Sequence, residues 1–132
     1  SGISVKEVLR DKVQVLRKTA ASYKAVIVLK GAHSLIGTPE GQVFVNLSGN
    51  AGMGTAGSGD VLTGCIAAMH GLGLSFTDAV RTGVFIHGYA GDLAAAEKGD
   101  DGLMAGDIMA QIPQALKKYR TAYKAITANA YM

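Results

Sequence analysis

The sequence is poor in the residues that usually announce an unusual setting. Of its 132 residues one is cysteine, two are proline, eight are aromatic and none is tryptophan. A lone Cys65 excludes an internal disulfide, and its apolar helical surroundings fit a reducing cytoplasm. No apolar run exceeds five residues, reached at 25–29 and 65–69. A membrane-spanning helix needs about 20 and a secretory signal about 7 to 15, so neither is expected. The aromatics are not interleaved with arginine or lysine, which argues against a single-stranded nucleic-acid platform. Cations are scarce in the middle: residues 31–116 carry only Arg81 and Lys98 against eight acidic residues, whereas 1–30 and 117–132 carry eleven Lys/Arg against two Asp/Glu. The basic termini read as solvated helix faces rather than a nucleic-acid patch.

What the chain has is glycine and a usable core. Hydrophobic residues make up 48% and charged residues 17%, enough to bury a core and exclude general disorder. The 18 glycines show no three-residue period, which excludes collagen, and eight of them fall between Gly49 and Gly73. If that net acidic centre binds phosphate, it does so with backbone N–H groups, a helix dipole and a metal.

The coarse organisation follows from periodicity. Ser4-Val5-Lys6-Glu7 is a capping box, and Val5, Val8, Leu9, Val13 and Leu16 predict an amphipathic helix over 4–22. Residues 25–29, mostly β-branched, read as a strand buried on both faces, as in a parallel sheet. Two short strands are expected near 34–36 and 42–45, joined by the turn Thr38-Pro39-Glu40-Gly41. A glycine-rich loop over 47–58 leads to helical spacing from Val61 to Met69, ended by Gly71 and Gly73. Ser75 caps a predicted helix over 76–97, whose glycines and alanines imply close packing against a neighbour. After a loop over 98–102, a last helical region is expected over 107–127, interrupted near Pro113. With one central-looking strand, the chain reads as a single partial α/β domain over 1–132.

The chemistry lies in Asn50-Ala51-Gly52-Met53-Gly54-Thr55-Ala56-Gly57-Ser58-Gly59-Asp60-Val61-Leu62-Thr63-Gly64. Gly52, Gly54 and Gly57 match G-x-G-x-x-G, but no strand leads straight into them and a second helix follows the first, unlike a dinucleotide-binding βαβ unit. Gly54 and Gly59 have P-loop spacing, yet Asp60 and Val61 occupy the positions of its lysine and hydroxyl residue. Small residues Gly57, Ser58 and Gly59 ahead of a helix instead let several N–H groups converge on an anion. Asp60 beside them is either a first-turn acid favoured by the helix dipole or a base that takes a proton from a hydroxyl during phosphoryl transfer. Lys30 at a strand end either reaches phosphate or faces solvent. His70 reads as a complement to the helix dipole, His87 as a packed histidine, Cys65 as core, Asp100 and Asp101 as solvated and Asp107 as a helix cap. The three histidines and Cys65 lack ligand spacing, so no protein-built metal site is expected.

Gly-x-Gly-Asp at a helix start resembles the ribokinase-like superfamily, and the longer string over 52–64 resembles its NAD(P)H-hydrate dehydratase, or carbohydrate-kinase-like, family. Leu29-Lys30-Gly31-Ala32-His33-Ser34, Asn46, Gly49-Asn50, His87-Gly88, Gly91-Asp92 and Ala105-Gly106-Asp107-Ile108 carry the resemblance over roughly 2–116. Ala51, Gly54 and Gly106 stand where proline, alanine and serine are frequent in the family. The resemblance implies the C-terminal half of a three-layer αβα domain, incomplete in this chain, that associates with the missing N-terminal half or with itself. It implies dehydration of the S epimer of hydrated NADH or NADPH in a cytoplasmic repair step, with ADP favoured over ATP as co-substrate and Mg²⁺ as cofactor. Lys30, Gly31, Ala32, His33, Ser34, Gly57, Ser58 and Gly59 would then contact the nucleotide, and Asp60 would contact the hydrate and act as catalytic base. The alternatives are a small-molecule kinase of the same superfamily, of hydroxyethylthiazole or sugar type, and a nucleotide-binding module without turnover.

Overall fold

The computed structural model describes residues 4–31 and 33–130, with side chains through Thr121. Helix α1, Val5–Tyr23, starts at the expected capping box: the Ser4 hydroxyl accepts from Glu7 N–H and the Glu7 carboxylate from Ser4 N–H. It leads into a three-stranded antiparallel meander of β1 (Ile27–Leu29), β2 (Leu35–Gly37) and β3 (Val43–Val45), in the order β1-β2-β3. Val28, Ile36 and Phe44 stand in register across the sheet and share one face. That face packs on Leu62 and Ile66 of helix α2, Ser58–Gly71, and on Val80 and Val84 of helix α3, Phe76–Lys98. The opposite face meets α1, where Leu16 and Ala20 lie against Gly37 with no room for a side chain. Helix α4, Ala105–Ala130, covers the far side of α3, and Ile86, Ala90, Ala94, Leu103, Ile108 and Ala115 form the second core cluster.

The layered α/β expectation therefore holds, but the sheet corrects its details. The strand expected to be buried on both faces in a parallel sheet is an antiparallel edge strand; Ile27 and Val28 are half-buried and Leu29 is exposed. The fully buried centre is β2, which is paired on both sides and sandwiched between helices. Short connections decide this, since a parallel neighbour needs a crossover of a dozen residues or more. At the hairpin between β2 and β3, buried Thr38 closes the turn: its N–H donates to the Gln42 carbonyl and its Oγ1 accepts from Gln42 N–H.

Two helix boundaries also differ from expectation. Helix α2 begins at Ser58, inside the Gly57-Ser58-Gly59 string expected to precede it, and Val61 N–H donates to the Gly57 carbonyl. A single 3-10 turn, Ala51–Met53, interrupts the preceding loop. Helix α4 runs through Pro113 without a break. Pro113 and Met109, whose carbonyl loses the N–H donor, both face solvent, while Ile108 and Ala115 are anchored in the core. Packing outweighs the local cost of proline. Among the described residues, no helix is long and apolar enough to cross a membrane.

Candidate functional site

A cavity of about 710 Å³ opens where β1 ends, the glycine-rich loop turns and α2 begins. Its walls include Lys30, Gly31, Ser34, Asn50, Ser58, Gly59 and His87. Gly57 caps α2 with φ of 88°, a left-handed conformation that a side chain would strain, and no side chain caps the helix. The N–H groups of Gly59 and Asp60 find no acceptor among the described residues. Lys30 Nζ lies 2.9 Å from the position a Cβ on Gly59 would occupy. A helix N-terminus with two unspent N–H groups therefore faces an ammonium group. This arrangement offers donors and positive charge, suited to an oxyanion.

The loop that forms the other wall is held by α3. The Asp92 carboxylate accepts from Gly49 N–H at 3.0 Å and from Asn50 Nδ2 at 2.9 Å, and Asn50 Oδ1 accepts in turn from Gly52 N–H. Ser48 Oγ lies 3.0 Å from the Phe85 carbonyl and 3.1 Å from Asn46 Oδ1. Ser48 can come this close because Gly88 presents bare backbone; a Cβ there would run into the serine side chain. His87 reaches from α3 to α2, with Nε2 3.0 Å from the Ser58 carbonyl and 3.3 Å from Ser58 Oγ. Burial lowers the pKa of this imidazole, the Ser58 carbonyl raises it, and the Lys30 charge lowers it.

The residues singled out from sequence sort unevenly. Lys30, Gly31, Ser34, Ser58 and Gly59 share the cavity, and Gly57 sets the start of the helix that points at it. His33 is exposed and does not line it, and Ala32 lies outside the described residues. Asp60 stands exposed on the first turn of α2, beside the cavity rather than in its wall, and its carboxylate has no partner among the described residues. Away from the cavity, His70 Nδ1 bonds the Leu74 carbonyl, buried Cys65 has its pKa raised by desolvation, and Asp107 accepts from Met104 N–H and pairs with Lys98 at 2.7 Å.

The roles of Asp92 and His87 in shaping the walls were missed from sequence. The signal was their pairing with glycines: His87-Gly88 and Gly91-Asp92, at helical spacing, bring two polar groups and two bare patches of backbone to one stretch of α3. Among the described residues no group of three or more His, Cys, Asp or Glu is placed to hold a metal ion.

A family model described as NAD(P)H-hydrate dehydratase matches residues 2–114. The chain is 52% identical over 126 residues to the bifunctional NAD(P)H-hydrate repair enzyme Nnr of Thermofilum pendens, covering 96% of this chain and 24% of that protein. It is 41% identical over 108 residues to the ADP-dependent (S)-NAD(P)H-hydrate dehydratase of Neisseria meningitidis, covering 81% of this chain and 36% of that one. The crystal structure of the ADP/ATP-dependent NAD(P)H-hydrate dehydratase from Bacillus subtilis, co-crystallised with ATP/Mg²⁺, superposes with a TM-score of 0.80 at 30% identity. That match covers 90% of this chain and 43% of the other. The chain thus spans 24% to 43% of the length of these relatives.

Proposed function

Because this chain belongs to the NAD(P)H-hydrate dehydratase family, we propose that it supplies the nucleotide-phosphate site of an enzyme that dehydrates the S epimer of hydrated NADH or NADPH at the expense of ADP or ATP. The observation that carries the reading is the approach of Lys30 Nζ to Gly59 at an uncapped helix N-terminus. In this reading the terminal phosphate lies against the N–H groups of Gly59 and Asp60, with Lys30 neutralising its charge. The 43% share of the related Bacillus subtilis chain that is matched supports further polypeptide completing the sheet and the hydrate pocket, whether a preceding half or a second copy. Buried Cys65 supports a reducing, cytoplasmic setting.

The chemistry asked of this chain's own residues is modest. Hydroxide leaves carbon poorly, so transfer of the terminal phosphoryl group to the hydrate's hydroxyl would turn it into a competent leaving group. The Asp60 carboxylate, on the residue whose N–H faces that phosphate, accepts the hydroxyl proton as oxygen attacks phosphorus and AMP or ADP departs. Elimination of phosphate with loss of a ring proton then restores the reduced nicotinamide. An unpartnered carboxylate on that helical turn suits the task, since nothing in the described chain competes for its lone pairs.

Mg²⁺ fits this donor set as a passenger of the nucleotide. It binds through phosphate oxygens, waters and one or two carboxylates rather than an all-protein cage, and Asp60 is the carboxylate on the helical turn where phosphate would sit. When bound, it would neutralise charge on the transferring phosphoryl group. Incubating the intact protein with hydrated NADH and ADP or ATP, and following the absorbance of the reduced nicotinamide, tests the reading. Recovery of absorbance supports the dehydratase; phosphate transfer to an alcohol without recovery would point to a kinase, and nucleotide binding alone to a module without turnover.

A further inference from the structure

We infer that His87 is a positioning residue for the anion site: its Nε2–H holds the first turn of α2 and leaves the Ser58 hydroxyl proton free to donate to a bound phosphate. The inference rests on the nucleotide reading above and extends it to a group that reading does not use. A carbonyl oxygen can only accept, so the 3.0 Å contact between His87 Nε2 and the Ser58 carbonyl requires the proton to be on Nε2. The same nitrogen is 3.3 Å from Ser58 Oγ, and a nitrogen that carries the proton cannot accept from that hydroxyl. Ser58 Oγ is thus at most the minor acceptor of an N–H directed at the carbonyl, and its own proton has no acceptor among the described residues. Ser58 is 6% exposed and lines the cavity beside Gly59 and Lys30. The hydroxyl joins two N–H groups and an ammonium group, so every polar contact on that wall is a donor.

Burial and the nearby Lys30 charge disfavour the imidazolium against the pull of the Ser58 carbonyl, and the contact with that carbonyl puts the proton of the neutral ring on Nε2. Close packing of the two helices fixes its reach. Gly83 of α3 lies against the Ile66 backbone of α2 with no room for a Cβ, so ring and turn sit on a rigid pair.

The test begins with the ¹⁵N spectrum of the His87 ring in the unliganded intact protein, where the Nε2–H tautomer is expected and the Nδ1–H tautomer would overturn the inference. ADP and adenosine affinities are then measured for the wild type, His87→Gln, His87→Leu, Ser58→Ala and the His87→Leu/Ser58→Ala pair. His87→Leu and Ser58→Ala should each weaken ADP about tenfold, the worth of one charge-assisted hydrogen bond. The pair should weaken it little further, because His87 acts on the phosphate only by holding the turn that presents the Ser58 hydroxyl. His87→Gln, which retains an N–H near the Nε2 position, should restore most of the affinity, and adenosine, lacking phosphate, should respond to none of them. Wild-type ADP affinity in His87→Leu would overturn the inference while leaving the nucleotide reading intact. If His87→Leu fails to fold, Ser58→Ala decides, and unchanged ADP affinity there is equally fatal. A wild type that binds neither ADP nor ATP would remove the nucleotide reading itself, and the inference with it.

Discussion

Lys30 and Gly59 meet across the mouth of the cavity, with the lysine Nζ 2.9 Å from where a Gly59 side chain would start. Lys30 follows the first strand and Gly59 lies in the first turn of the second helix, so the contact joins the sheet to the helix dipole. Gly59 is not in the left-handed region; the positive φ at this helix start belongs to Gly57. Gly59→Ala therefore adds a methyl group without backbone strain and displaces only the mobile end of a lysine. The fold should survive with nearly unchanged melting temperature, while ADP affinity falls clearly by calorimetry. Unchanged affinity would remove residues 57–59 as the anion site.

Gly57→Ala should behave in the opposite way. At φ of 88° an alanine costs about 1 to 2 kcal/mol, and its Cβ would also press on Ala105 at 3.2 Å. Chemical denaturation should show that loss, and it should exceed the loss for Gly59→Ala. Equal midpoints for the two variants would contradict the assigned helix start.

Asp60→Asn keeps the shape of the side chain and removes the base. Turnover should fall by ~10² to 10⁴, as for a lost general base, with the affinity for Mg²⁺-free ADP held or slightly improved by lessened repulsion. An acid serving only the helix dipole would cost about 0.3 to 1 kcal/mol of stability and leave turnover largely intact. Turnover, affinity and melting temperature on this one variant separate the two, and near-normal turnover would sink the catalytic role.

Asp92→Ala removes the acceptor of Gly49 N–H and Asn50 Nδ2. The loop over 49–52 should loosen, with faster amide exchange there, a stability loss of about 1 kcal/mol and weaker ADP binding. Exchange protection equal to wild type would show that the loop is held by other contacts.

The ion pair of Lys98 and Asp107 gives a pH dependence of known sign. The lysine hydrogen bond, the Met104 N–H and the lysine charge hold the Asp107 carboxyl below its ordinary value, so its contribution is present above the unfolded-state pKa and is lost as pH falls through the folded-state one. The same partner raises Lys98, whose contribution is lost only in strong alkali. Asp107→Asn should flatten the acid side of the stability profile and leave neutral pH least changed in slope.

Much of this was legible in the chain because its signals are local. The Ser4 and Ser75 caps are both observed, and the stop at Gly73 with φ of 102° coincides with the end of the second helix. What local pattern could not reveal was partnership. Residues 25–29 look like a doubly buried strand by composition, but which strand becomes central depends on what pairs with it, and β2 does. Pro113 carries a local signal for a break that packing of Ile108 and Ala115 overrides. The glycine-rich loop was visible because glycines, a serine and an aspartate stand in one string; Lys30, Asp92 and His87 come from other elements, and only folding brings them together.

The meander and the cavity differ in how far along the chain their contacts reach, and this bears on the order in which they form. Each strand pairs with the next through a tight connection, and closing a loop of about 10 residues takes roughly 10 to 100 ns. The cavity walls depend instead on the 37-residue separation of Ser48 and Phe85, the 43 of Gly49 and Asp92, and the 29 of Ser58 and His87. Closures of that length cost more chain entropy and are repaid only once the third helix is seated. The sheet can thus form early and the cavity late. A ligand that recognises only the finished cavity should leave the folding rate nearly untouched and act by slowing unfolding.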